Sequence, residues 1–267
     1  MKIGILGVGN IGDLFLQRLL EEDGDNSYYI FDPEKEKTKK YHSDERVTVC
    51  KTEENVINNS EVIIPCVKPQ YAENVLIKFQ SSQNKDALII SPITGFNIHK
   101  IKHVSGMNKI VTIMPNLPAY VGEGLTLYCL SDDINKNDLE IMKKILSSLG
   151  KFTQIKERDF PAVTALCGSN PAFIFVIIES MIDAGIKMGF SYEKSKEMVL
   201  QTIIGSAKLI KKTGMHPGIA KNTVTSPAGT TIEGIYFMEK NGLRGTILEA
   251  LITTYDKAKE FYDTYKE

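Results

Sequence analysis

Lys2-Ile3-Gly4-Ile5-Leu6-Gly7-Val8-Gly9-Asn10-Ile11-Gly12 is a β-branched run that passes straight into a GxGxxG turn, and this stretch decides the fold. Residues 2–6 read as a strand, and residues 13–20 beyond the last glycine read as an amphipathic helix. Glycines between a strand and a helix let the backbone turn sharply and approach a pyrophosphate, which meets free amides and the positive end of the helix dipole. A GxGxxG alone is a weak signal, but the strand before it and the helix after it make it specific. Leu6, Gly7, Gly9, Asn10, Ile11 and Gly12 are therefore candidate cofactor-binding residues. Asp32 follows Gly12 by about 20 residues, at the end of the next predicted strand, where a carboxylate accepts hydrogen bonds from an adenosine ribose. A 2′-phosphate would meet like charge there, so Asp32 favours NADH. NADPH stays possible because Lys35 and Lys37 stand close by in sequence.

Outward from this turn, predicted strands at 28–32, 47–51, 62–67, 87–91 and 110–114 alternate with amphipathic or polar stretches, the rhythm of a mostly parallel sheet. Leu139, Met142, Leu146 and Leu149 mark a helix over 138–150, and 152–155 reads as a last strand. The charge-dense residues 34–46 read as a solvated helix. Beyond Asp159 no strand pattern remains, only helical stretches broken at Gly189, Gly214, Pro227 and Gly242. The expected fold is thus α/β: an N-terminal Rossmann-like NAD(P)-binding domain, residues 1–158, followed by an all-α domain, residues 159–267. Residues 172–178 are apolar on every side, so that helix needs cover all round, from a subunit interface or from the centre of its own domain.

Composition narrows the class. The 267 residues carry 32 Lys+Arg against 33 Asp+Glu, a net charge of −1, which leaves no excess positive charge for nucleic acid. At 42% hydrophobic and 24% charged, the chain suits a soluble globular protein. Cys50, Cys66, Cys129 and Cys167 are widely spaced and form no CxxC pair, which fits reduced thiols in the cytoplasm. The N-terminus lacks the pattern of a signal peptide, and the apolar runs 62–67 and 172–178 are shorter than a membrane span, so no membrane partner is expected. His99 and His103 are four apart but have no third ligand, and read as a solvated helix face rather than a metal site. His216, ahead of Pro217-Gly218, reads as loop structure. No nucleophile elbow or carboxylate pair recommends a hydrolase.

Four further motifs follow in order along nearly the whole chain. They are Val67-Lys68-Pro69-Gln70, then Met114-Pro115-Asn116 with Gly122-Glu123-Gly124, then Gly168-Ser169-Asn170-Pro171-Ala172, and finally Ser226-Pro227-Ala228-Gly229-Thr230-Thr231. Together with the glycine turn they resemble the pyrroline-5-carboxylate reductase family, the last being similar to its SPGGTT signature. The resemblance implies NAD(P)H-dependent reduction of 1-pyrroline-5-carboxylate to L-proline, the last step of proline biosynthesis. It also implies a helical domain that binds substrate and dimerises through interlocked helices, often assembled into a decamer. By the same resemblance, Cys66, Val67, Lys68 and Pro69 lie beside the nicotinamide and its ribose, Pro69 ending the strand. The amides of Gly229, Thr230 and Thr231, with Ser226, hold the substrate carboxylate; the Thr231 hydroxyl bonds the ring nitrogen as the catalytic group; and Asn116 lines the cleft.

The chemistry of the residues agrees. A small cyclic imine with one carboxylate needs an anion cradle and a slot facing the nicotinamide, and a small-residue turn leading into a helix predicted from Ile232 supplies consecutive amides. A threonine hydroxyl is too weak an acid to protonate the imine by itself, so Thr231 is expected to orient it. Taken without the resemblance, the Ser226–Thr231 segment reads as an ordinary helix N-cap, Lys68 equally as a solvated loop lysine or a cleft residue, and Asn116 as a turn cap or, slightly better, a cleft residue. Pro65, Cys66, Pro92, Thr94, Thr112, Asn170 and Ala228 depart from the family pattern. These departures leave room for a reductase of another cyclic imine, or for a non-catalytic dinucleotide-binding regulatory paralogue. Ala228, in place of a glycine, is tolerable unless the backbone there needs a positive φ.

Overall fold

The strands alternate with helices because apolar β-branched runs are separated by capped amphipathic segments. In the computed structural model, which describes residues 1–22 and 24–265, the strands are β1 (Lys2–Leu6), β2 (Ser27–Phe31), β3 (Val47–Val49), β4 (Val62–Pro65), β5 (Leu88–Ser91), β6 (Ile110–Met114), β7 (Gly124–Leu130) and β8 (Gly150–Gln154). The helices among and after them are α1 (Asn10–Glu21), α2 (Glu53–Asn59), α3 (Pro69–Leu76), α4 (Ile98–Ser105), α5 (Lys136–Ser147), α6 (Phe160–Val163), α7 (Asn170–Lys187), α8 (Tyr192–Thr213), α9 (Pro217–Thr223), α10 (Thr230–Lys240) and α11 (Leu243–Tyr265). Side chains cap several of them: Thr52 on α2, Asn97 on α4, and a reciprocal Asn135–Asp138 pair on α5.

One sheet carries all eight strands in the order β3-β2-β1-β4-β5-β6-β7-β8. It is parallel except where β7 runs antiparallel to β6. The strand order reverses between β1 and β4, which makes the ends of those two strands a topological switch point, the position at which open α/β sheets bind ligands. Alternate residues of each strand face two separate cores. Ile3, Ile5, Ile30 and Ile64 pack with α1 and α5, whereas Leu6, Ile63 and Ile89 pack with α2, α3 and α4. On α1, Leu14, Phe15, Leu16 and Leu19 are buried, each stabilising the sheet by roughly 1.5–3 kcal/mol.

Three details differ from the sequence-based expectation. Strand β7 has no counterpart there, because the Gly122-Glu123-Gly124 turn signal directly precedes it. Strand β4 stops at Pro65, and Pro69 opens α3 rather than ending the strand, since a first-turn proline gives up no helical hydrogen bond. Residues 35–41 form a 3₁₀ stretch that buries Thr38 and Tyr41, so the charged segment is solvated on one side only.

Packing divides the chain into two units, residues 1–169 together with the stretch from 254 onward, and residues 170–253. The second unit is helical. Its α7 is not a central helix: Phe175 is 50% and Val176 61% exposed, and of its residues only Ile182 is buried. The continuous helical run Glu157–Lys187 is long and apolar enough to cross a membrane by length and composition, longer than the apolar stretch marked from sequence.

Candidate functional site

The chain geometry of the glycine turn follows from what each glycine excludes. Gly7 adopts φ +89°, and a side chain on it would meet the Cys66 carbonyl. A Cβ on Gly12 would collide with the Gly7 carbonyl oxygen, so this position sets the closeness of helix and strand. Gly9 is different, because a Cβ there meets no atom within 4 Å. Gly9 is also the N-cap of α1 and no side chain caps the helix, so open space faces uncapped amides. A pyrophosphate fits that arrangement: the amides satisfy its oxygens and the helix dipole offsets its charge.

Asp32 follows β2 and is only 7% exposed. Its Oδ2 accepts the Val8 amide at 2.8 Å and its Oδ1 the Glu34 amide at 2.8 Å. A carboxylate has about four acceptor positions, so two remain open to further donors. Lys37 Nζ lies 2.7 Å from Glu34 and 3.8 Å from Asp32, and its hydrogen bond to Glu34 raises its pKa. One lysine thus stands between two carboxylates, and the local charge stays negative.

A cavity of about 460 Å³ opens along this edge. Leu6, Gly7, Gly9, Asp32, Cys66, Val67 and Lys68 of the expected cofactor set line it. Burial pushes the Cys66 thiol well above its usual range, so it faces the cleft as a neutral group. Lys68 is exposed and caps the start of α3 by backbone alone. Asn10 lines a neighbouring hollow of about 380 Å³ with Asp13, Lys37 and Lys40. In that hollow Asp13 accepts from Tyr41 Oη at 2.6 Å and pairs with Lys40 at 2.6 Å. Ile11, Gly12 and Pro69 line neither cavity.

Sequence reasoning missed the opposite wall of the cleft. Tyr71, Asn74, Val75 and Lys78 present one face of the helical segment there, with Lys78 held 3.0 Å from Glu53. The i, i+3, i+4, i+7 spacing of those four was the available signal. Phe31, Pro33 and Glu34 complete the wall beside Asp32.

Asn116 follows β6. Its Oδ1 accepts the Leu125 amide at 3.0 Å and its Nδ2 donates to the Cys167 carbonyl at 3.3 Å, so the side chain ties three segments of the first unit. Ser226, Gly229, Thr230 and Thr231 belong to the second unit. Ser226–Gly229 is a turn closed by the Gly229 amide on the Ser226 carbonyl at 3.1 Å. Pro227 and a positive φ at the third residue give it the character of a type II turn. That third residue is Ala228, at φ +55° the one non-glycine residue with positive φ among the described residues. Helix α10 begins at Thr230, two residues earlier than expected, with Gly229 as N-cap and no side-chain cap. The Thr231 hydroxyl is therefore not used as a cap. His216 does cap α9, its Nδ1 accepting the Gly218 amide at 3.1 Å.

Residues 157–261 match the family model for pyrroline-5-carboxylate reductase dimerisation, and residues 2–95 match the model for coenzyme F420-dependent NADP oxidoreductase. A pyrroline-5-carboxylate reductase of Aquifex aeolicus (strain VF5) is 34% identical over 97% of both chains. One from Arabidopsis thaliana is 35% identical, over 80% of this chain and 78% of the other. Among solved structures, a Plasmodium falciparum pyrroline carboxylate reductase with NADP bound superposes with a TM-score of 0.88 at 32% identity, covering 98% of each chain. The enzyme from Streptococcus pyogenes gives 0.85 at 29%, covering 97% of this chain and 98% of that one.

Proposed function

This chain belongs to the pyrroline-5-carboxylate reductase family, and from that membership we propose that it reduces 1-pyrroline-5-carboxylate to L-proline by hydride transfer from a nicotinamide cofactor. The observation that carries the proposal is the pairing at one sheet edge of an uncapped, open α1 N-terminus at Gly9 with the buried carboxylate of Asp32. When bound, NAD(P)H supplies the hydride and its stereochemical direction.

The protein's own residues bind and orient. Gly9, Asn10 and Ile11 offer backbone amides to the pyrophosphate, and Asp32 accepts from the adenosine ribose. Cys66, Val67, Lys68 and Pro69 border the nicotinamide half, and Leu6, Gly7 and Gly12 hold the turn. The type II turn at Ser226 and the uncapped start of α10 suit a substrate carboxylate, with the amides of Gly229, Thr230 and Thr231 as donors. Thr231, its hydroxyl free of capping duty, orients the ring nitrogen. Asn116 shapes the loop after β6 through its two hydrogen bonds. No proton donor beyond water is required, because the imine is basic enough to arrive protonated.

Cofactor choice follows the charge beside Asp32. Asp32, Glu34 and Lys37 sum to a negative patch, which favours NADH over a 2′-phosphorylated cofactor. In the functional division, residues 1–158 bind the dinucleotide and residues 159–267 bind substrate and pair subunits. The exposed faces of α7 suit a homodimer, with a decamer as the larger assembly, better than a bilayer, since the helix lies within the matched dimerisation segment. The four free cysteines suit the cytoplasm.

The test is oxidation of NADH, and separately NADPH, with pyrroline-5-carboxylate, proline being identified as product. Faster proline formation from NADH is expected. NADH binding with no turnover of this imine would turn the assignment toward another cyclic imine or a regulatory role, for which the left-handed Ala228 beside the cradle is the structural motive.

A further inference from the structure

The loop from residue 92 to residue 97 leaves the sheet at the same edge as the glycine turn and Cys66-Val67-Lys68, because β1, β4, β5 and β6 are mutually parallel. Loops at that edge border the crevice of an open α/β sheet. Its internal hydrogen bonds are long: Ile93 N to Ser91 Oγ at 3.4 Å and Phe96 N to the Ile93 carbonyl at 3.4 Å. Gly95 at its centre is left-handed, φ +85°. With internal contacts this weak, the loop's conformation depends on what packs against it.

That support comes from the far end of the chain. A Cβ on Gly95 would stand 3.1 Å from Tyr265 Cβ and 3.3 Å from the Phe261 ring, so the end of α11 lies directly on the loop backbone. The Phe96 and Tyr265 rings are 5.8 Å apart, and Tyr265 and Phe261 are 4.8 Å apart. Tyr262 stacks on Phe160 at 6.1 Å and 9°. Burial pushes the Tyr262 phenol up to about 12 and keeps it neutral. On the other flank, Glu157 accepts the Ile98 amide at 2.7 Å.

We propose that the aromatic end of α11, with Phe261 and Tyr265 against Gly95, positions the loop of residues 92–97 for hydride transfer. This rests on the reductase assignment made above. Phe261 and Tyr265 are positioning residues: they act through the backbone of Gly95 and not on the reacting atoms.

The test uses the full chain with Phe261→Leu and Tyr265→Ala, measuring amide exchange at residues 93–98, kcat and KM for pyrroline-5-carboxylate, and NADH affinity. Phe261→Leu keeps an apolar side chain and removes only the ring against Gly95, so it remains informative if Tyr265→Ala does not fold. Exchange at 93–98 is expected to quicken roughly tenfold, the scale of one lost aromatic contact. The kcat should fall by roughly tenfold with NADH affinity held within about twofold, because the pyrophosphate and ribose contacts sit on other loops. Unchanged exchange in both variants overturns the proposal, and so does faster exchange with unchanged kcat. A native chain inert toward pyrroline-5-carboxylate would instead overturn the reductase assignment, and the exchange measurement would still decide whether α11 holds this loop.

Discussion

The Val8 amide donates to Asp32 Oδ2 at 2.8 Å, so a single carboxylate both pins the glycine turn and fronts the cavity beside it. The two roles separate by substitution. Asp32→Asn keeps an acceptor for Val8 and removes the charge, and should shift the NADPH-to-NADH ratio of kcat/KM upward by roughly tenfold or more. Asp32→Ser removes both and should also weaken binding of either cofactor. A ratio unmoved by both variants means that Asp32 does not meet the ribose.

Gly9 and Gly12 fall in one motif but answer to different constraints. Gly12→Ala drives a methyl into the Gly7 carbonyl and should destabilise the fold by about 1–3 kcal/mol in denaturant unfolding. Gly9→Ala has open space and should keep stability within about 1 kcal/mol while losing on the order of tenfold in NADH affinity. Equal stability losses would contradict the assignment of Gly9 to the cofactor.

Ala228 holds a conformation that glycine occupies freely. Relief of the left-handed strain is worth about 1–2 kcal/mol, more than the roughly 0.4–1 kcal/mol that glycine's extra unfolded freedom costs. Ala228→Gly should therefore raise the midpoint of thermal unfolding and leave turnover intact or improved. A lower midpoint would mean that the turn is not strained.

Thr231 carries no cap hydrogen bond, so Thr231→Ala should change unfolding free energy by no more than about 0.5 kcal/mol. Turnover should drop roughly tenfold or more, with NADH affinity unchanged. Stability and turnover falling together would identify a structural residue.

Glu157 is a half-buried carboxyl, and burial raises its pKa above the ordinary 4.5 against the opposing Ile98 hydrogen bond. A raised acid favours the folded state while protonated. Its contribution is full below about pH 4.5 and is lost as pH climbs through the higher folded value. Glu157→Gln keeps an oxygen for Ile98 and should flatten this part of the stability–pH curve, leaving the variant more stable than the native chain at neutral pH. The comparison is read from unfolding midpoints between pH 4 and 8.

What could be read in advance was local. The strand, glycine turn and helix of residues 2–20 show themselves because each glycine answers to a neighbour a few residues away, and Asp32 because the length of one βα unit sets its distance from that turn. The sequence reading ended in helices beyond Asp159 for the same reason, since 3.6-residue periodicity needs no partner. Strand β7 stayed hidden: its pairing with β6 is antiparallel and its turn signal was absorbed into a motif. The wall formed by Tyr71, Asn74, Val75 and Lys78 had the spacing of a helix face, but nothing in the chain said which face looks into the cleft.

The sequence alone thus determined that a Rossmann-like sheet precedes a helical part and where its glycine and small-residue turns fall, because backbone sterics and hydrophobic period are properties of neighbouring residues. Only the tertiary structure decided that Ala228 takes a positive φ, that Asn116 spends its amide on Leu125 and Cys167, and that Phe261 and Tyr265 close over Gly95. Those outcomes depend on contacts between segments far apart in the chain, which packing selects and local propensity cannot encode.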